Sequence, residues 1–378
     1  MLRYLTAGES HGQALVGILE GLPAGMPISR EKMDEDLKRR QQGYGRGGRM
    51  AIETDRALVL SGLRGGLTLG SPLAFTIENR DYENWQQGMD PFEGDVTYRQ
   101  VVHPRPGHAD LPGALKYGFE DMRPILERSS ARETAARVAV GSIARQLLAP
   151  FGIEAACHVI SIGSEKMNGS TPPYEALKAA EDSPVRCIDD DAATAMMTAI
   201  DQAKKQGDSL GGVVEVQVKG LPVGLGSHVQ WDRKLDARLA YALMSIQAVK
   251  GVEIGDGFQT AGQPGSQVHD EIYHDTQRGI YRKTNHAGGI EGGMSNGEIL
   301  VVRCGVKPIP TLMQPLQTID IRTKEPFEAV KERSDTCAVP AAAVVAELVT
   351  LFVVAQAFME TFGRDSFEEM KRCWKPCP

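Results

Sequence analysis

Two histidines lie in short glycine-containing segments whose residue types suit proton transfer. His11 lies in the segment 8–12, GESHG, and His108 lies in the segment 105–110, RPGHAD. An imidazole titrates near neutral pH, so either histidine can donate or accept a proton. A lone histidine is more often structural, and the alternative for His108 is a hydrogen bond that stabilises its loop. Acid–base chemistry at these two positions is therefore a hypothesis.

The segment 8–12 also has the G-x-S-x-G form of a serine-hydrolase elbow. That elbow requires a strand, a sharp turn and then a helix. The residues that follow, ALVGIL at 14–19, predict a strand. We therefore discount a serine nucleophile and expect Ser10 to bind a substrate by hydrogen bonding.

A run of cationic and glycine residues indicates an anion-binding loop. The segment 38–49, KRRQQGYGRGGR, contains five cations and no acid, namely Lys38, Arg39, Arg40, Arg46 and Arg49. The planar guanidinium group suits phosphate and carboxylate. The glycines match G-x-G-x-x-G only weakly, because a charged helix and not a strand precedes them. The alternative is a solvated charged loop.

A second basic group lies at the predicted start of an apolar helix. The segment 128–134, RSSARET, combines two arginines with the S-x-x-E form of a capping box. Free N–H groups at a helix N-terminus favour an anion such as phosphate. The alternative is an ordinary cap with surface arginines.

Three loops in the second half of the chain add further candidate groups. The glycine-dense segment 286–297 could wrap a flat cofactor, and the segment 307–311, KPIPT, offers a cation and a hydroxyl. Arg333 could bind an anion and Asp335 could serve as a base. Each loop by itself is ordinary, and the sequence shows neither a P-loop nor an H-E-x-x-H pattern.

The elements around these loops predict one large α/β domain covering residues 1–378. Strands are expected at 2–6, 13–20, 57–63, 73–77, 212–218 and 298–304, and helices at 30–40, 134–148, 192–206, 234–249 and 340–362. The segments 20–25, EGLPAG, and 219–224, KGLPVG, resemble each other, and a helix is predicted after each. We take this as a hypothesis of internal duplication, with halves at about 1–150 and 200–362. The alternative is chance similarity of turns.

Composition limits the classes of partner. The 378 residues carry a net charge of −7, which argues against general binding to nucleic acid or a membrane surface. The six cysteines are scattered without a zinc-like or disulfide-like spacing, as expected of reduced thiols in the cytoplasm. The apolar stretch 338–355 contains Glu347, so a buried helix is favoured over a membrane span. We expect no metal.

Taken together, the segments resemble the chorismate synthase family. The stretches that carry the resemblance are 8–12, 43–49, 105–110, 128–134, 288–297 and 333–336, in the family's order. The resemblance implies a β-α-β sandwich of two similar halves, with helices packed on antiparallel-rich sheets and functional loops forming a flavin and substrate pocket. It implies a homotetramer in the shikimate pathway. The substrate would be 5-enolpyruvylshikimate 3-phosphate, converted to chorismate by anti-1,4-elimination of phosphate with reduced FMN and no net redox change.

The resemblance also implies roles for individual residues. His11 would protonate the leaving phosphate, His108 would protonate the anionic edge of the flavin, and Asp335 would assist deprotonation at the flavin N5. Substrate contacts would come from Ser10, Arg40, Arg46, Arg49, Ser130, Arg132 and Arg333. Flavin contacts would come from Arg128, Ser129, Ser130, Gln247, Ala248, Gly292, Lys307, Pro308, Ile309, Pro310, Thr311 and Arg333. Lys307 suits the FMN phosphate as a point charge.

Two other functions stay open on the sequence. The first is a flavin-dependent oxidoreductase that acts on another phosphorylated polyanion, and it would consume reductant in each turnover. The second is a non-catalytic module that binds a phosphate ligand without forming product. The sequence leaves open whether the enzyme reduces its own flavin with NAD(P)H.

Overall fold

The chain forms two antiparallel sheets, several short two-stranded ladders and a set of helices. The computed structural model describes residues 1–47, 53–169, 171–277, 279–332 and 334–374. In chain order the strands are β1 (Arg3–Ala7), β2 (Ala14–Glu20), β3 (Ala57–Ser61), β4 (Leu63–Arg64), β5 (Leu67–Thr68), β6 (Leu73–Glu78), β7 (Glu154–Ile162), β8 (Glu165–Lys166), β9 (Gly212–Lys219), β10 (Val249–Ile254), β11 (Ile272–Asp275), β12 (Gly279–Arg282), β13 (Ile290–Glu291), β14 (Met294–Ser295), β15 (Leu300–Val306), β16 (Gln317–Ile319) and β17 (Pro326–Glu328).

The helices complete the described elements. They are α1 (Arg30–Gln41), α2 (Gln86–Met89), α3 (Asp110–Tyr117), α4 (Arg123–Ser129), α5 (Thr134–Leu148), α6 (Asp190–Gln206), α7 (Leu235–Met244), α8 (Gly265–Val268), α9 (Val339–Phe362) and α10 (Phe367–Cys373). Short 3-10 helices cover Arg80–Asn84, Ala131–Glu133, Ala149–Phe151, Tyr174–Asp182, Trp231–Arg233 and Gly257–Gly262. The protein is therefore a mixed helix-and-sheet protein.

The two sheets have the same strand order. The first sheet runs β1-β2-β6-β3 and the second runs β10-β15-β9-β7-β8, with every pair antiparallel. Each sheet has four long strands, which can be numbered in chain order. Followed from β1 to β3 in the first sheet and from β7 to β10 in the second, the spatial order is first, second, fourth, third in both. In each half a helix follows the second strand (α1 and α7), and a long helix follows the fourth (α5 and α9).

The helices lie between the sheets. Helix α5 contacts β2 of the first sheet and also α9, and α9 contacts β7 and β9 of the second sheet. Both sheets therefore bury their inner faces against the same helical layer, which forms one continuous core.

Helix α9 is the most deeply buried element. It is apolar on every side, which is the pattern of a helix surrounded by protein. It is also the one helix among the described residues long and apolar enough to cross a membrane, with a mean hydropathy of 2.1, but 89% of that window is buried. The expectation of a buried helix is confirmed.

Local sequence signals explain where several helices begin and end. Ser29 caps α1 by accepting a hydrogen bond from the Lys32 N–H at 3.2 Å. Asp189 caps α6 in the same way through Ala192 N–H at 3.0 Å. Gly207 ends α6 with φ of 72°, a left-handed conformation that glycine adopts without strain.

Two local predictions were wrong. The helix expected at 234–249 ends at Met244, and Val249 begins a strand that pairs with β15. Tertiary pairing of the β-branched segment explains this, since strand propensity depends on the neighbours available. The capping box is only half present: Ser130 accepts from the Arg132 N–H, but the Glu133 carboxylate binds Thr6, Arg137 and Gln247 instead of the Ser130 N–H.

Candidate active site

Most of the side chains that the sequence singled out line one cavity. It has a volume of about 740 Å³. The predicted residues in its lining are Ser10, His11, Arg40, Arg46, His108, Ser129, Ser130, Arg132, Gln247, Ala248, Lys307, Ile309, Pro310, Thr311 and Asp335. They come from both halves of the chain, so the fold brings together groups that are up to 325 residues apart in sequence.

Some predicted contacts lie elsewhere. Arg128 is exposed and donates to the Thr6 carbonyl at 2.8 Å, away from the cavity lining. Gly292 is an exposed turn residue between β13 and β14, and Pro308 does not line the cavity. Arg49 and Arg333 lie outside the described residues. The flavin or substrate contacts assigned to these five residues stay predictions.

The cavity also contains groups that sequence reasoning missed. They are Trp85, Arg99, Arg105, Lys331 and Glu332, together with an apolar wall of Leu126, Leu210, Ile246, Val306, Ala338, Ala341, Ala342 and Val345. Arg105 belongs to the segment that carries His108, so its position could have been inferred. Trp85 and Arg99 lie in a stretch with no periodic pattern, which gave no local signal.

The lining is strongly cationic. Among the described residues it contains seven cations, namely Arg40, Arg46, Arg99, Arg105, Arg132, Lys307 and Lys331, and two carboxylates, Glu332 and Asp335. Burial lowers the pKa of Arg40 to about 10; Asp55 opposes the shift, and the nearby Arg132 and Arg46 add to it. Arginines close enough to affect each other's ionisation provide a site for a multiply charged anion.

The buried carboxylate of Asp55 and nearby acceptors hold two of these arginines in place. Arg132 donates to Asp55 Oδ1 at 2.5 Å and to Asn79 Oδ1 at 2.8 Å. Arg40 donates to Thr134 Oγ1 at 2.9 Å and contacts Asp55 at 3.3 Å. Because Asp55 contacts both guanidinium groups, it holds them side by side at the wall of the cavity.

The glycine-rich loop after α1 brings Arg46 to Asp335. The Arg46 Nη1 lies 2.7 Å from Asp335 Oδ2, and the Gly47 N–H donates to Asp335 Oδ1 at 2.6 Å. A Cβ on Gly47 would come within 2.8 Å of the Ser334 carbonyl oxygen. The glycine therefore allows the loop to approach another part of the chain closely.

His11 is buried in a tight polar and aromatic environment. Its Nδ1 lies 2.8 Å from Glu127 Oε1, and its backbone N–H donates to Glu127 Oε2 at 2.7 Å. Its ring stacks on Trp85 with a centroid separation of 4.0 Å. Ser10 Oγ donates to Ser130 Oγ at 3.0 Å, which joins the two predicted serines. These contacts fix the position of the imidazole.

His108 has a carboxylate partner of its own. Its Nδ1 lies 2.5 Å from Asp110 Oδ1, and Arg105 Nε donates to Asp110 Oδ2 at 2.8 Å. Burial alone would raise the pKa of Asp110, but His108 and Arg105 lower it well below its usual range. The carboxylate therefore stays ionised beside the His108 ring, and Arg105 Nη2 lies 2.9 Å from the same ring nitrogen.

The segment 307–311 contacts the His108 loop. Lys307 Nζ donates to the Gly107 carbonyl at 2.9 Å, and Arg105 Nη1 donates to Thr311 Oγ1 at 2.8 Å. Burial, with a contribution from Lys250, lowers the pKa of Lys307. These contacts place a cation and a hydroxyl beside His108.

Comparison with known proteins identifies the family that this site belongs to. The family model for chorismate synthase matches residues 2–359. The chain belongs to the chorismate synthase family. The chorismate synthase of Alkaliphilus metalliredigens (strain QYMF) is 59% identical over 375 residues, covering 99% of each chain. That of Geobacter metallireducens is 58% identical over 381 residues, covering 98% of this chain and 97% of the relative.

A solved crystal structure of a chorismate synthase has the same fold. It matches with a TM-score of 0.79 and 43% identity, covering 98% of this chain and 96% of the other. Sequence and structure therefore agree over nearly the full length, and the protein is a lyase of the chorismate synthase family.

The family uses reduced FMN, and the cavity fits such a group. Gln247 Oε1 and the indole Nε1 of Trp85 are buried and have no hydrogen-bond partner among the described residues. Both residues line the cavity, beside the apolar wall from α9. A buried polar atom without a partner is costly unless a ligand pairs with it. A flat ring system with polar edges would give both buried polar atoms a hydrogen-bond partner.

Proposed function

We propose that this protein converts 5-enolpyruvylshikimate 3-phosphate to chorismate and phosphate by anti-1,4-elimination, with reduced FMN bound in the cavity. The observation that carries the proposal is the convergence of Arg40, Arg46 and Arg132 with His11 and His108 around one space. The substrate carries a phosphate and two carboxylates, which require several cations within one ligand's length. The flavin-dependent oxidoreductase requires a site for a second redox substrate, and no observation favours it.

When bound, reduced FMN would supply reversible electron transfer for C–O bond cleavage, with no net consumption of reductant. Ser129, Ser130, Gln247, Ala248 and Lys307 would hold it, with Ile309, Pro310 and Thr311. Ala248 has a φ of 69°, which is strained for a residue with a side chain. Its carbonyl accepts from the Lys307 N–H at 2.9 Å, and this bond joins the two flavin-binding segments.

His11 delivers the proton to the departing phosphate. Its Nδ1 is occupied by Glu127, so Nε2 is the nitrogen that gives the proton. Protonation of the phosphate oxygen lowers the free-energy cost of the negative charge that develops on the phosphate as the C–O bond breaks. Arg40 and Arg46 stabilise the same developing charge from the cavity wall.

The roles assigned to His108 and Asp335 concern the flavin and not the leaving phosphate. His108 would donate a proton toward the anionic edge of the flavin, with Asp110 holding its ring in place. Asp335 would assist deprotonation at the flavin N5. Its carboxylate is paired with Arg46 here. A substrate anion that binds Arg46 would compete with Asp335 for this guanidinium group.

We also propose that the chain is one domain built from two similar halves and works as a homotetramer in the cytoplasm. The shared strand order of the two sheets supports the duplication. Self-association is supported by the outer face of the first sheet, where Leu5, Leu58 and Leu60 are 72%, 58% and 61% exposed. Apolar sheet faces of this kind mark surfaces for association. Neither a nucleic acid nor a membrane is required.

The test is an anaerobic assay. Protein, photoreduced FMN and 5-enolpyruvylshikimate 3-phosphate are mixed, and chorismate and phosphate are measured. We expect equal amounts of both products, many turnovers per flavin and no product without FMN. One equivalent of reductant consumed per product would favour the oxidoreductase instead. A parallel reaction with oxidised FMN and NADPH shows whether the protein reduces its own flavin.

A further inference from the structure

Glu127 lies directly behind His11 and has no solvent access. Its side chain is 0% exposed, and both carboxylate oxygens are within hydrogen-bond distance of His11 Nδ1, at 2.8 and 3.0 Å. Oε2 also accepts the backbone N–H of His11 at 2.7 Å. One carboxylate therefore fixes both the main chain and the ring of the same residue.

The negative charge of Glu127 is directed mainly at His11. Burial alone would raise the pKa of Glu127, but the contacts with His11 and Arg123 lower it, so the group stays ionised. Arg123 approaches Glu127 only at 3.5 Å, and it bonds more closely to Glu332 at 2.8 Å and to the Arg99 carbonyl at 2.8 Å. The shortest partner of the carboxylate is thus the histidine.

The other charged groups around His11 complete its environment. Asp81 Oδ2 lies 4.0 Å from Nε2, and Asp81 is fully buried. The guanidinium groups of Arg99 and Arg123 lie 4.3 and 5.1 Å from the centre of the Trp85 ring, on which His11 stacks. The carboxylates of Glu127 and Asp81 thus lie on the Nδ1 and Nε2 sides of the imidazole, and the two guanidinium groups lie against the Trp85 ring.

We propose that Glu127 is the positioning residue for His11: it fixes the proton on Nδ1, aims Nε2 at the substrate and places a negative charge beside the ring. The inference rests on the proposed role of His11 in proton transfer. The Asp110–His108 pair also places a carboxylate at a histidine Nδ1, but there Arg105 bonds to the carboxylate and lies 2.9 Å from the same ring nitrogen. An ionised carboxylate that holds one tautomer is a general way to prepare a histidine for proton transfer.

The variant Glu127→Gln removes the negative charge at residue 127 and keeps nearly the same side-chain shape. The amide oxygen can keep the bond from the His11 backbone N–H, and this leaves the amide NH2 group facing Nδ1. An NH2 group donates, so Nδ1 must accept and the ring proton of neutral His11 moves to Nε2. We expect turnover at neutral pH to fall by roughly 10- to 100-fold. The pH above which turnover declines should move lower by about one unit.

A structural role alone would give a different result. If Glu127 only anchors the loop, Glu127→Gln should change stability or KM while the pH dependence of kcat stays in place. The matched control is Glu215→Gln, because Glu215 is a buried carboxylate 3.4 Å from the buried His158 and does not line the cavity. We expect this control to leave the pH dependence of turnover and the affinity for FMN unchanged.

A spectroscopic measurement on the unmodified protein tests the proposal without an activity assay. The eight histidines are labelled with 15N and their ring nitrogens observed by magic-angle-spinning NMR, with His11→Asn used to assign one signal set. We expect Nδ1 of His11 to remain protonated across the pH range in which the protein is folded. A bare Nδ1 in the unmodified protein overturns the proposal, even if Glu127→Gln does not fold. Failure of chorismate formation with a protonated Nδ1 would instead count against the proposed function.

Discussion

At the scale of single residues, the site combines cations with acids that keep them in place. Arg46 is paired with Asp335, and Arg132 is paired with Asp55. Arg132 is buried and surrounded by acceptors, so it mainly shapes the wall. Arg46 has a carboxylate partner, Asp335, that a substrate anion can replace, which makes it the better candidate for direct substrate binding.

Removal of Arg46 should weaken substrate binding. A hydrogen bond to a charged group contributes about 1.5–3 kcal/mol, so we expect Arg46→Ala to raise the dissociation constant of 5-enolpyruvylshikimate 3-phosphate by roughly 10- to 100-fold. Calorimetry with FMN-loaded protein measures it. The control is Arg3→Ala, an exposed arginine paired with the exposed Glu20. Equal affinities in the two variants would exclude Arg46 as a substrate contact.

At the scale of elements, the site depends on how closely two helices meet. Helices α5 and α9 form the centre of the helical layer, and a Cβ built on Gly141 of α5 would lie 2.5 Å from Leu348 Cβ and from the Leu348 carbonyl oxygen. Helix α5 follows directly on the turn that contains Ser130 and Arg132, and α9 supplies Ala341, Ala342 and Val345 to the lining, with Ala338 directly before it. Both helices therefore hold residues that border the cavity.

We expect Gly141→Ala to destabilise the protein. In an isolated helix alanine would be favoured over glycine by about 1 kcal/mol. Here the added methyl group must push α9 away, and overpacking of a core costs about 1–3 kcal/mol. Denaturant unfolding measures the change. Gly262→Ala is the control, because a Cβ at Gly262 meets nothing within 4 Å. A stabilised Gly141→Ala protein would show that the helices can separate at no cost.

At the scale of the whole molecule, a buried ionic cluster joins three helices of the central layer. Glu347 of α9 is fully buried and pairs with Arg39 of α1 at 2.8 Å and with Arg145 of α5. Arg39 precedes the cavity residue Arg40, so the cluster also fixes the end of α1. Burial alone would raise the pKa of Glu347, but Arg145 and Arg39 lower it.

Glu347→Gln should lower the free energy of unfolding by about 3 kcal/mol at neutral pH, because Arg39 and Arg145 lose the buried carboxylate that pairs with both of them and keep, among the described residues, only their contacts with Asp36 and Glu181. A carboxylate whose pKa is lowered on folding stabilises the protein above its unfolded pKa, and this stability is lost as pH falls through the folded pKa. The difference between the two proteins should therefore shrink below about pH 4. Glu368→Gln, at an exposed pair with Lys371, is the control. A pH-independent difference would exclude the ionic contribution.

The sequence by itself determined much of this protein. The apolar helix at Thr134–Leu148 was predicted with the observed bounds, since its periodicity and the proline at 150 are local signals. The glycine, arginine and histidine segments indicated phosphate chemistry and the family. Such information is encoded in residue type and short spacing.

Only the tertiary structure decided which of these groups meet. Arg46 and Asp335 are in contact although they are far apart in sequence, and His11 obtains its carboxylate from Glu127, 116 residues later. The same long-range pairing makes Val249, the last residue of a predicted helix, the first residue of a strand against β15. Trp85 and Arg99 reach the cavity from a stretch without a pattern. Contacts of this kind depend on the packing of two sheets on a shared helical layer, and local propensity does not contain that information.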